Sequence, residues 1–432
     1  MSYSNTELRL SKLSVRNFRK FESYEVDFDP HLTVLVGDNG SGKSTIIDAA
    51  SIALGSLFPK LENAIAPSIS TDDARRIFVA QGDMADSQSQ FPVFIGATGI
   101  AHDGELQWSR ALNSVKAGMT RVDASNIIGI GEYYQKCVTE GDSSLVLPIL
   151  ARYGTDRLWK QTGKPSDALP SRTRGYADAL HAASNESRMN AWFRKQSIWE
   201  WQNKRESDLF NAIKRALASC FEVAASVSDA MVDFDAELQQ LVFSYRDSNG
   251  AHHRDRLRSM SDGYRSTLSL IADIAYRMAT LNPAMGEDVL ETPGTVMIDE
   301  IDLHLHPRWQ ARILEDLISI FPNVQFVTTT HSPLVVASVP KGNILMLGES
   351  SAVTPSTETK GRDASDVLIT VLGASSRPEN AAKLFRAFDS AVDDDDYTGA
   401  KDILGEVENL VGADDPDVIA AKTTLELEEL LA

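Results

Sequence analysis

Leu32-Thr33-Val34-Leu35-Val36-Gly37-Asp38-Asn39-Gly40-Ser41-Gly42-Lys43-Ser44-Thr45-Ile46-Ile47-Asp48-Ala49-Ala50 reads as an apolar strand, a glycine-rich loop and an apolar helix in succession. That is a phosphate-binding loop in the strand-loop-helix context the motif requires. Glycines 37, 40 and 42 let the backbone curl so that N–H groups and the helix N-terminus point at phosphate oxygens. Lys43 is expected to reach the β- and γ-phosphates, Ser44 to ligate Mg²⁺, and Asp38, Asn39, Ser41 and Thr45 to complete the cradle. The pattern predicts binding of a nucleoside triphosphate.

The 432 residues suit one composite head with accessory lobes. There are two cysteines, Cys137 and Cys220. The first residues lack a basic start and an apolar core, and no apolar run approaches the roughly 18 residues that span a bilayer. A cytoplasmic protein with reduced thiols and no membrane partner is expected. The formal net charge is −19, which argues against general attraction to nucleic acid. Residues 391–432 hold 13 Asp/Glu against two Lys, or −11, leaving −8 for the preceding 390.

Ahead of the loop, Leu8 to Phe28 reads as two strands. Phe58 to Thr71 reads as loops, Phe91 to Leu112 as strand-rich, and Leu145 to Leu150 as a further strand. From about residue 165 the pattern turns helical, with Leu209, Ala212, Ile213, Ala216, Leu217 and Cys220 on one face. Met189, Trp192, Gln196 and Trp199 form a poorer stripe. Trp192, Trp199 and Trp201 are half of the tryptophans, and a local core or protein interface is favoured for them over a base-stacking platform. Near the end, Leu384, Phe385, Phe388 and Val392 form one stripe. Ile403, Leu404, Val407, Leu410 and Val411 form another, and Asp415-Pro416 starts a third helix. Asp393 to Asp396 reads as a solvated loop rather than a metal site.

Thr295-Val296-Met297-Ile298-Asp299-Glu300 is an apolar strand ending in two carboxylates. Asp299 is positioned to hold Mg²⁺ through its water shell, and Glu300 to polarise the attacking water. Val324 to Thr330 is another β-branched strand, followed by His331, which suits contact with the γ-phosphate. Ser261-Asp262-Gly263 precedes an apolar helix and makes a second phosphate-binding cap. A nucleotide held by the P-loop has no room for a second cap from the same head, so this cap is expected to serve another subunit.

The order of P-loop, Ser261-Asp262-Gly263, Asp299-Glu300 and His331 resembles the ABC-type ATPase heads of the RecF and structural-maintenance-of-chromosomes class, over residues 8 to 349. The implied fold is α/β: an ABC-type head with a mixed sheet and flanking helices, a helical insertion and a small acidic helical tail. The expected divisions are 1–160 for the N-terminal lobe, 161–235 for the insertion, 236–350 for the C-terminal lobe and 351–432 for the tail. The chain differs from transporter heads at Asp262, where Gly is usual, and at Met260, where Leu is usual. Gln81 is the candidate Q-loop residue. Val15-Arg16-Asn17-Phe18-Arg19 resembles the strand end that approaches adenine in RecF-like heads.

Ile149 to Trp159 and Glu300 to Pro307 resemble compact bacterial ATPases that include the Septu anti-phage group, some of them carried by retrons. His304 and His306 then read as part of a D-loop rather than as a metal pair. The resemblance implies ATP and Mg²⁺ as cofactors, head-to-head homo-oligomers and an HNH-type nuclease effector on another chain. A retron reverse transcriptase with its RNA, and contact with DNA through the complex, also belong to that context. Two alternatives stand beside it: a RecF-like repair ATPase at DNA junctions, and an assembly module with structural ATP. No sustained heptads and no nuclease centre are seen in the sequence.

Overall fold

The computed structural model describes residues 7–81, 84–101, 104–155, 171–181, 186–235 and 237–431. The chain divides into two units, Met1–Arg362 and Asp363–Ala432.

The centre of the first unit is a six-stranded sheet. Its order is Ala352–Val353, Ile344–Leu347, Leu32–Val36, Val324–Thr329, Gly294–Ile298 and Ile149–Tyr153. All neighbours run parallel except the Ala352–Val353 edge. The three middle strands are buried along their whole length, which is why they read as continuous apolar runs rather than alternating ones. Their parallel direction brings Gly37, Asp299 and Thr330 out at the same edge.

An antiparallel sheet of Phe21–Asp27, Leu8–Phe18, Val93–Ala101 and Gly104–Leu112 lies against this core. Gln325, fully buried in its strand, joins the two sheets. Its amide accepts from Leu10 N and Thr295 Oγ1 and donates to the carbonyls of Leu10 and Asp29. All four of its hydrogen-bonding positions are used, as a buried amide requires. In the same antiparallel sheet, Trp108 Nε1 donates to Ala53 O at 2.9 Å, fixing the P-loop helix Lys43–Leu54.

The strand expected at Leu145 to Leu150 is instead Ile149–Tyr153. Pro148 cannot donate to a ladder, and Leu147 is held by the side chain of Asn282, which both accepts from its N–H and donates to its carbonyl. The helical stretch is present as Glu186–Asn203 and Asp208–Ala225. Ser228–Asp235, however, is a strand paired with Gln240–Arg246, which also pairs with His252–Arg256. Buried Val232 and Phe234 alternate with exposed neighbours there, the period of a strand with one covered face.

The second unit contains Ala364–Thr370, Glu379–Asp393, Tyr397–Val411 and Pro416–Leu431. Its stripes cover one another: Phe388, Ala400, Leu404, Val407, Val418, Ala421 and Leu425 form one core. Asp396 caps the helix Tyr397–Val411 by accepting from Gly399 N. Arg377 donates to Asp415 and Asp417 and lies over the Phe385 ring.

Candidate functional site

The P-loop turns directly off Val36 into the helix that begins at Lys43. Gly42 caps that helix at φ +104, and a Cβ there would lie 2.4 Å from Phe21 Cζ. Both the left-handed backbone and the ring above it require glycine. Lys43 is 7% exposed, and its ammonium donates to the carbonyls of Gly37 and Asp38 at 2.8 and 3.0 Å. Burial pulls its pKa below the ordinary lysine value, while Asp299, Glu300, Asp38 and Asp302 act in the opposite direction. Those carboxylates are therefore close enough to share the field of the P-loop lysine. Ser44 is exposed and Thr45 half-buried. The buried Ser41 hydroxyl has no hydrogen-bond partner, which fits a loop shaped for a phosphate ligand.

One threonine holds the Asp299 carboxylate and the Glu300 backbone. Thr329 Oγ1 donates to Asp299 Oδ1 at 2.6 Å and accepts the Glu300 N–H at 2.7 Å. Glu300 sits at φ +48, a left-handed conformation costing about 1–2 kcal/mol for a residue with a side chain. The threonine bond helps to hold it there. Thr330 Oγ1 donates to Asp302 at 2.5 Å, and Ser332 Oγ to Gln310 at 2.7 Å. His331, between them, is exposed, so its backbone is fixed while its ring meets solvent. Ser44 and Asp299 offer the oxygen donors that would suit Mg²⁺, which prefers few protein carboxylates together with phosphate oxygens. Among the described residues no cluster of three or more His, Cys, Asp or Glu could hold a metal by itself.

Ser261 and Asp262 stand at the exposed N-terminus of the helix Asp262–Leu281. Arg265 donates to Asp262. A Cβ on Gly263 would be 3.0 Å from His304 O, so this glycine lets the helix start approach the segment after Glu300.

The strand-end segment departs from its expected role in part. Phe18 is completely buried, and its backbone bridges Ala74, so its ring has no face open to a base. Arg16 lies over Phe94, and Asn17 donates to Pro92 O. The following turn is what meets the P-loop: Lys20 Nζ donates to Gly40 O at 2.6 Å, and Arg19 pairs with Asp48 of the P-loop helix and with Asp73. Asp48 also pairs with Arg152. Lys20, Asp48, Arg152 and Thr329 escape the sequence reading because their partners are distant in the chain. The three consecutive threonines 328–330 closing a strand were the available signal for the last. Gln81 ends the strand Arg76–Gln81, but its side chain lies outside the described residues, as does Asp156 to Trp159.

Residues 12–222 match the family described as "AAA domain", and residues 155–337 match "AAA domain, putative AbiEii toxin, Type IV TA system". The "Retron Vc95 probable ATPase" of Vibrio cholerae is 25% identical, the alignment covering 90% of this chain and 84% of that protein. It resembles the retron and Septu ATPases. The Septu protein PtuA of Bacillus mycoides is also 25% identical, over 81% of this chain and 42% of PtuA. A solved SMC head domain from Thermotoga maritima superposes with a TM-score of 0.43 at 14% identity, covering 81% of this chain and all of that one. No described helix of the chain is long and apolar enough to cross a membrane.

Proposed function

We propose that this chain binds ATP with Mg²⁺ and hydrolyses it between two paired heads. The observation that carries the reading is the convergence of Lys43, Asp299 and Glu300 at one sheet edge, with Thr329 holding the Asp299 carboxylate and the Glu300 backbone. Lys43 would move from the loop carbonyls to the β/γ-phosphates, Ser44 and Asp299 would hold Mg²⁺, and Glu300 would accept a proton from the attacking water. Mg²⁺ supplies charge neutralisation at the phosphates. The exposed Ser261-Asp262-Gly263 helix start would cap the nucleotide of a second head.

Lys43→Ala should abolish ATP binding in calorimetry. Glu300→Gln should keep it and accumulate a closed pair seen as a doubled mass. Ser261→Arg should bind ATP but not hydrolyse it. Hydrolysis by a strictly monomeric protein, at a specific rate independent of concentration, would overturn the paired-head reading.

The retron and Septu relatives support a role in anti-phage defence, in which head pairing controls a separately encoded effector, an HNH-type nuclease on the Septu resemblance. The acidic unit Asp363–Ala432 has its own core, and its charge suits docking on such a partner or on another copy. A truncation after Arg362 should keep ATP binding but lower the mass of the co-expressed complex and remove phage protection. Full protection without this unit would exclude it from assembly.

A further inference from the structure

A cleft of about 910 Å³ opens in the first unit beside the helix Glu186–Asn203. This helix turns Met189 and Phe193 into the core. Arg188, Trp192, Lys195 and Trp199 follow one another at i, i+4, i+7 and i+11, one helical face, and all four line the cleft. Tyr276 from the helix Asp262–Leu281 and Arg174 also line it.

Three properties separate this cleft from an ordinary surface hollow. Its charge is one-sided: the described lining includes Arg172, Arg174, Arg188 and Lys195 and no Asp or Glu, in a chain with 61 acidic and 42 basic residues. Part of that charge is unspent. Arg172 is committed to the carbonyls of Asp142, Leu145 and Leu281, and Arg188 is paired with Asp178. The side chains of Arg174 and Lys195, by contrast, make no hydrogen bond or ion pair among the described residues, and Lys195 is exposed.

The third property is aromatic. Trp192 is braced edge-on by Phe193, Phe210 and Tyr276, with centroids 5.2, 6.0 and 6.0 Å away, while Trp199 is 43% exposed. Seven residues of helix separate the two indoles by roughly 10 Å along its axis. A protein core needs neither unpaired cations nor a half-exposed indole. A ligand with flat rings and negative charge matches both.

We propose that this cleft is a second nucleotide-recognition site, separate from the P-loop. It would take a nucleobase bearing phosphate, with the base against Trp199 and Trp192 and the phosphate on Arg174 and Lys195. The source is either a free mononucleotide or a segment of single-stranded nucleic acid. Its size suits either, since pockets of about 300–1,000 Å³ hold small organic ligands.

The test uses the full chain carrying Lys43→Ala, so that the P-loop contributes no binding, titrated with a ten-residue thymidine oligonucleotide and separately with thymidine monophosphate. Tryptophan fluorescence is followed, together with anisotropy of a dye on the oligonucleotide. Quenching is expected, with affinity lowered at least about fivefold by Trp199→Ala, the weaker end of loss of a base-stacking contact. Trp199→Phe should recover part of it. Arg174→Gln should weaken binding and reduce the slope of log affinity against log salt by about 0.7 if the ligand is a single strand.

Quenching by the oligonucleotide alone identifies a single strand as the source, and equal quenching by the monophosphate identifies a free nucleotide. Absence of quenching by both at millimolar concentration overturns the proposal. Binding left unchanged by Trp199→Ala and Arg174→Gln, in variants with parental circular dichroism, overturns it as well.

Discussion

Arg277→Met should be among the most damaging single changes outside the P-loop. The Arg277 and Asp273 side chains are only 3% and 4% exposed, and their ion pair measures 2.8 Å. Burial works against the guanidinium charge, but Asp273, Tyr153 and Tyr276 together outweigh it and hold the Arg277 pKa above its ordinary value. Arg277 also donates to the carbonyls of Gly175 and Ala177, while Tyr153 donates to the same Asp273 oxygen. Removing the arginine leaves a buried carboxylate with one donor fewer and two carbonyls unpaired.

Breaking a buried pair in this way costs about 3–5 kcal/mol. The unit Met1–Arg362 has an unfolding entropy near 0.8 kcal/mol/K at about 2.1 cal/mol/K per residue. The expected fall in melting temperature is therefore roughly 4–6 °C by circular dichroism. The combined change Tyr153→Phe, Asp273→Leu and Arg277→Met should recover part of that loss, because no charge is left to desolvate, though the two carbonyls stay orphaned. A melting temperature for Arg277→Met within 1 °C of the parent would refute the reasoning.

Thr329→Val removes the hydroxyl shared by Asp299 and Glu300. ATP should still bind, with the turnover rate or the Mg²⁺ affinity lower by about 10–100-fold, the usual effect of losing a partner behind a metal ligand. Gly42→Ala should abolish ATP binding while the fold survives, since its Cβ would meet the Phe21 ring at 2.4 Å at a φ of +104. Adding Phe21→Ala should relieve the clash but not the backbone strain, giving partial recovery in calorimetry. Burial pushes the Cys220 thiol up to about 12, so at pH 8 its thiolate fraction is about a thousandfold smaller than that of a thiol at 9. Iodoacetamide should leave Cys220 unmodified in the native protein and label it after unfolding, as read by mass spectrometry.

The legible part of this molecule was its local chemistry. The P-loop, the strand ending in Asp299-Glu300 and the strand before His331 each carry their meaning within about ten residues, because backbone geometry and residue type act over that range. The parallel strands were also readable, since strands buried on both faces are continuously apolar. Pro148 starts one strand four residues late, at Ile149, and the short alternation at Val232 and Phe234 is masked by the helical stretch before it. Phe18 was read for its neighbours in the chain, yet its ring belongs to the core.

By itself the sequence determined that a glycine-rich loop, a helix-start cap and an acidic strand end lie in this order, because those groups are specified by short-range pattern. Tertiary structure alone decided that Thr329 holds the Asp299 carboxylate and the Glu300 backbone, that Lys20 and Asp48 attach the first hairpin and Arg152 to the P-loop, and that the acidic helices cover their own stripes. It also decided that Arg174 and Trp199, 25 residues apart, face one cleft. Contacts between residues far apart in the chain depend on which strands become neighbours, and that order comes from burying the sheet as a whole rather than from any one segment.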